Sequence, residues 1–99
     1  MEKLEIKIND KVYTAAKPKA RLWKKLVNFD EHKGDLSAEE FIDAHAEIMA
    51  EVFPELDKDF ILDNVDLDEI LNIYYKIFMW MTKLLTSKLN NVKNAEGDN

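Results

Sequence analysis

The longest apolar pattern in the chain lies in its C-terminal third. From Ile70 to Leu85, apolar residues recur at helical spacing and cover about half of a helix circumference. They are Ile70, Leu71, Ile73, Tyr74, Ile77, Phe78, Trp80, Met81, Leu84 and Leu85. This arc is wider than that of an ordinary surface helix. The pattern therefore predicts a central helix, beginning at the capping signal of Asp66 and Glu69 and ending near Leu89.

Two more amphipathic helices and one helical turn are predicted upstream. The first helix covers about residues 18–32, where apolar side chains fall on one side at about 100° per residue. Ser37 and Glu40 have the spacing of a capping box, which starts a second helix. That helix runs to about Phe53, because a proline follows it. The short apolar cluster 60–62 lies between acidic residues and predicts one helical turn.

The N-terminal segment alternates between apolar and polar residues, as a half-buried strand does. Two strands are predicted, at about 3–8 and 11–15, joined at Asn9 and Asp10.

Two registers fit this hairpin. A two-residue loop places Ile6 opposite Tyr13, whereas a three-residue loop places Ile8 opposite Val12 and turns the second strand over. In either register the hairpin must pack on the helices, because an isolated hairpin is only marginally stable.

These elements predict one α+β domain, mainly α, over residues 1–90 of the 99. It consists of an N-terminal β-hairpin followed by a small bundle of three main helices and one short helical turn. Residues 91–99 are polar, rich in asparagine and aperiodic, so we expect a flexible tail.

The composition excludes or disfavours several classes of function. Lys and Arg total 14 against 20 Asp and Glu, a net charge of −6, which disfavours a nucleic-acid partner. The chain has no cysteine, which excludes disulfides, thiolate nucleophiles and cysteine-bound zinc. No run approaches the roughly 20 apolar residues of a membrane span. We therefore expect no membrane partner and a soluble protein inside the cell.

Metal binding and catalysis receive little support from the sequence. A calcium loop starting at Asp57 fails, because Ile61 and Leu62 stand where an oxygen ligand and a glycine are required. His45 lies on the apolar face of the second helix, where a buried imidazole needs one hydrogen-bond partner. A general base at His45 would also need a nucleophile and a pocket. We interpret His45 as a core residue, and predict no enzyme, catalytic residue, metal or cofactor.

Two surfaces are candidates for binding a partner. Five cations occupy residues 17–25, either as the solvated face of the first helix or as a docking site for an acidic partner or a phosphate. Tyr75 and Met79 lie beyond the apolar arc of the last helix, and are either a partner surface or covered by the hairpin or the tail. This helix could also form the seam of a homo-oligomer. The candidate contact residues are Tyr75, Met79, Lys24 and Lys25.

Four segments together carry a resemblance to a known family. They are the opening segment 4–13, the Arg21-Leu22-Trp23 helix, the helix start at 36–40 and the acidic turn at 53–60. In pattern and order they resemble the tail assembly chaperones of long-tailed phages (Siphoviridae) and of prophages of Gram-positive bacteria. The similarity covers about residues 1–90.

The resemblance implies a non-enzymatic protein that binds the tape-measure protein, keeps it soluble, and helps the major tail protein polymerise around it. Such a protein acts in the cytoplasm of the bacterial host and is absent from the mature virion. We expect Met79→Asp to weaken partner binding and leave the thermal midpoint nearly unchanged. The alternative is a small phage-encoded regulatory binding module, an inhibitor or a transcription cofactor, that uses the basic patch 17–25.

Overall fold

The computed structural model describes residues 3–97, and side chains within residues 3–87. In this part of the chain an antiparallel two-stranded hairpin precedes four α-helices, which confirms a mainly helical α+β fold. The elements are β1 (Glu5–Ile8), β2 (Lys11–Thr14), α1 (Ala20–His32), α2 (Ala38–Val52), α3 (Lys58–Asn64) and α4 (Leu67–Gly97), with a 3₁₀ turn at Lys33–Asp35 after α1.

The prediction of three helices and one turn is wrong for residues 58–64. This segment is a helix of seven residues, about two turns. The carboxylate of Asp57 accepts a hydrogen bond from the backbone N–H of Phe60 at 2.7 Å, which caps its first turn. Ile61 is fully buried and anchors the helix to the core.

The last helix continues beyond its predicted end near Leu89, to Gly97. No proline or glycine interrupts the sequence between Asp66 and Gly97, so nothing breaks the helical hydrogen bonding before that glycine. The side chains of the whole predicted tail, 91–99, lie outside the described part, and residues 98–99 lie outside it altogether.

The hairpin has the two-residue loop. Asn9 and Asp10 have φ angles of 51° and 67°, which is the left-handed backbone that a type I′ turn requires at both central positions. Ile6 pairs with Tyr13, and both side chains are buried beneath the hairpin.

Two hydrogen bonds anchor the hairpin to the helices. The backbone N–H of Ala16 donates to the carbonyl of Val52 at the end of α2, at 2.9 Å. The side-chain amide of Asn9 donates to that of Asn64 at the end of α3, at 2.7 Å. These contacts, with the buried face of the hairpin, close the core on the side of α2 and α3.

The centre of the bundle is α2, and the expectation that the last helix is central is wrong. α2 packs against α1, α3 and α4 and contributes four buried apolar residues and His45 to the core. The predicted capping box at its start is confirmed, with Ser37 and Glu40 bonded to each other's backbone N–H at 3.1 and 2.9 Å. Of the ten residues in the apolar arc of α4, Leu71 and Leu85 stay exposed, and the other eight are buried or partly buried.

Candidate protein-binding surfaces

An uncovered apolar row runs along the first half of α4. Leu67, Leu71, Tyr75 and Met79 follow one another at intervals of four residues and are 76%, 48%, 63% and 40% exposed. We call these four residues the α4 stripe. From its first to its last residue the stripe spans about 18 Å of helix.

The structure shows that the hairpin does not cover Tyr75 and Met79, because both side chains are exposed. The interpretation in which the hairpin covers them is therefore wrong. Exposed polar side chains flank the stripe on one side: Asp68, Asn72 and Lys76. Contiguous apolar surface with a polar border is typical of a protein-binding site, and an unbranched methionine adapts to different partners.

A groove separates the start of α1 from the later turns of α4. It has a volume of about 680 Å³. Its apolar lining includes Trp23 of α1 and Met81, Leu84 and Leu85 of α4, and its charged lining is Lys17, Lys19 and Lys24. We call it the α1–α4 groove. A mainly apolar concave site with a few polar groups is the usual form of a ligand pocket.

The lysines of the basic patch 17–25 do not all face the groove. Lys24 lines the groove, whereas the Nζ atom of Lys25 lies 2.8 Å from Oε1 of Glu51 on α2. This ion pair joins α1 to α2 and is partly exposed, so it adds at most about 1 kcal/mol to stability. The two lysines predicted together thus have different environments.

Of the four candidate residues, the structure brings Tyr75 and Met79 together on one stripe. Sequence reasoning did not place Leu67 and Leu71 on this stripe, although they lie eight and four residues before Tyr75. It also missed the groove, because its two walls lie about 60 positions apart in the sequence.

His45 occupies the predicted core position. It is fully buried, and its Nδ1–H donates to the carbonyl of Phe41 at 2.7 Å. Its ring packs against those of Phe29, Phe41 and Tyr74, with centroids 4.5 to 4.9 Å away. Burial lowers the pKa of His45, opposed by the hydrogen bond to Phe41 and assisted by the charge of Lys33. The imidazole is thus held in its neutral form as part of an aromatic cluster.

Tyr74 on α4 belongs to this cluster, and its ring also lies near that of Phe78, one turn further along the helix. Its hydroxyl is buried and has no hydrogen-bond partner among the described residues. Burial, and then the negative charge of Asp30, raises the pKa of Tyr74 to about 12. The hydroxyl therefore remains protonated at neutral pH.

Within residues 3–97 no helix is long and apolar enough to cross a membrane. Among the side chains described, no group of three histidine or acidic residues is placed to hold a metal ion.

In comparisons with known proteins, no family model, curated protein or solved structure matches the chain. The resemblance to tail assembly chaperones therefore stays a prediction, and the surfaces described above are the basis for a function.

Proposed function

We propose that this protein is a non-enzymatic tail assembly chaperone that binds the tape-measure protein and assists assembly of the tail tube. The observation that carries the proposal is the α4 stripe. It leaves about 18 Å of apolar helix surface in water on a chain that buries most of its other large apolar side chains.

The stripe fits the partner that the family resemblance implies. A tape-measure protein is a long, largely helical chain with apolar stripes, and an apolar helix face is recognised by laying it against another apolar surface. Each Å² of apolar surface removed from water in this way contributes about 25 cal/mol before the costs of association. The stripe and the partner's helices would thus cover each other.

The charge of the protein suits a chaperone for an aggregation-prone chain. A net charge of −6 keeps complexes apart in solution. Several copies along one long partner would also gain from multivalency if neighbouring copies touch.

Co-expression with the tape-measure protein of the same genome tests the proposal. We expect the tape-measure protein to move into the soluble fraction and to co-purify with the tagged chaperone. Met79→Asp should reduce both effects because it places a charge in the stripe. Leu62→Asp is the matched control, since Leu62 is a leucine of similar exposure (37%) on α3, outside the stripe.

One result of the co-expression test would contradict the proposal. If the tape-measure protein stays insoluble and unbound at several salt concentrations, the chaperone proposal is wrong. The alternative, a phage-encoded regulatory module, uses the basic patch 17–25, of which Lys17, Lys19 and Lys24 line the α1–α4 groove. It requires salt-dependent binding to nucleic acid, lost on charge reversal at Lys24 and Lys25.

A further inference from the structure

The α1–α4 groove combines two chemical features that the stripe does not. Its floor is apolar, from Trp23, Met81, Leu84 and Leu85, and three lysines border it. The lysines are exposed, in a chain whose net charge is −6. Positive charge is thus concentrated beside an apolar cleft in an otherwise acidic protein.

We propose that this groove binds an acidic amphipathic helix of a partner protein. The apolar side of that helix lies on the floor, and carboxylates beside its apolar side chains pair with Lys17, Lys19 and Lys24. Charge complementarity selects this occupant, because carboxylates at the edge of an apolar helix face match a lysine border around an apolar floor. The groove shares no residue with the α4 stripe, so the inference does not depend on the proposed function.

The floor argues against a polyanion as occupant. A nucleic-acid backbone would satisfy the lysines but leave the exposed surface of Leu84 and Leu85 without an apolar partner. Three lysines also neutralise few phosphates, while the net charge of the chain repels a long polyanion. A short segment with a few carboxylates avoids both costs.

Fluorescence anisotropy with a designed peptide tests the inference. The probe is a labelled helical peptide of about 18 residues, five turns, with leucines along one face and glutamates on both flanks. The matched peptide carries lysine at each glutamate position. We expect the glutamate peptide to bind the full-length protein, and to bind at least about tenfold more tightly than the lysine peptide at low salt.

Two pairs of variants locate the binding. Lys24→Glu should weaken binding of the glutamate peptide about tenfold, because one attraction becomes a repulsion. Arg21→Glu makes the same charge change in an exposed residue of the same basic patch that does not line the groove, and should have a much smaller effect. Leu85→Gln should weaken binding, whereas Leu71→Gln, at similar exposure on the α4 stripe, should not.

Three results would overturn the inference. One is equal binding of the two peptides, and another is equal loss from Lys24→Glu and Arg21→Glu. The third is a dimer of the protein alone, seen by light scattering and dissociated by Leu85→Gln, which would make a second copy the occupant. Because none of these experiments uses the tape-measure protein, a negative result would leave the proposed chaperone function untouched. A negative result in the co-expression test would likewise leave this inference untouched.

Discussion

Met79→Asp should lower the stability of the free protein in addition to the proposed effect on binding, and the exposure of Met79 gives the size of this loss. Met79 is 40% exposed, so a little more than half of its surface is covered in the folded chain. Full burial of a methionine contributes about 1.5–3 kcal/mol, and a compact unfolded chain reduces the part gained on folding. Aspartate in a helix interior costs about 0.5 kcal/mol more. The expected loss is therefore about 1–2 kcal/mol of the free energy of unfolding.

A loss of this size lowers the thermal midpoint of a domain of this length by about 5–15 °C. The expectation of a nearly unchanged midpoint therefore does not fit the 40% exposure of Met79. Tyr75→Gln is the cleaner probe of binding, since Tyr75 is 63% exposed and should lose less than about 1 kcal/mol.

Urea denaturation followed by circular dichroism measures this loss in the protein without a partner. Met79→Leu is the control, because it keeps the apolar surface and volume and should cost less than about 1.5 kcal/mol. A loss above about 4 kcal/mol for Met79→Asp would place Met79 in the core and refute the reasoning. No loss at all would refute the partial burial.

Three further predictions concern particular contacts. Ser37→Ala should lower the free energy of unfolding by about 1 kcal/mol in urea, because α2 loses its N-cap; an unchanged value would contradict the capping box. Asp10→Gly should raise the free energy of unfolding in urea by about 0.5–1 kcal/mol, because glycine adopts the φ of 67° without strain; an unchanged or lower value would contradict strain at this turn. The lowered pKa of His45 means that the unfolded chain binds more protons than the folded one. The free energy of unfolding should therefore be unaffected by His45 above its ordinary pKa of 6.5 and should fall as the pH drops below that value. Urea titrations from pH 7.5 to 5.5 should show this fall, and His45→Phe should remove it; a fall of the same size in His45→Phe would contradict the assignment.

Local signals made much of the fold predictable. The start of α2 followed from Ser37 and Glu40, because a capping box involves only four consecutive residues. The hairpin was predictable from its alternation, but its register was not. The register depends on whether Asn9 and Asp10 both adopt positive φ, and the residue types alone allow more than one loop length.

Packing between distant elements was harder to predict. The width of the apolar arc indicated that α4 is central, yet α2 occupies the centre because three helices and the hairpin meet around it. The position of Tyr75 and Met79 beyond the arc followed from helical spacing, but the spacing left open whether the hairpin or the tail covers them. That of Leu71 did not, because it lies at the edge of the arc and its burial depends on which neighbour reaches it.

A methyl-methionine NMR spectrum of the free protein and of its co-purified complex with the tape-measure protein tests the central claim most directly. Met79 lies on the α4 stripe, Met49 is fully buried in the core, and Met81 lines the α1–α4 groove. If the stripe binds the tape-measure protein, the Met79 signal changes position in the complex while that of Met49 stays in place. A complex in which the Met79 signal is unchanged would contradict the assignment of the stripe as the binding surface.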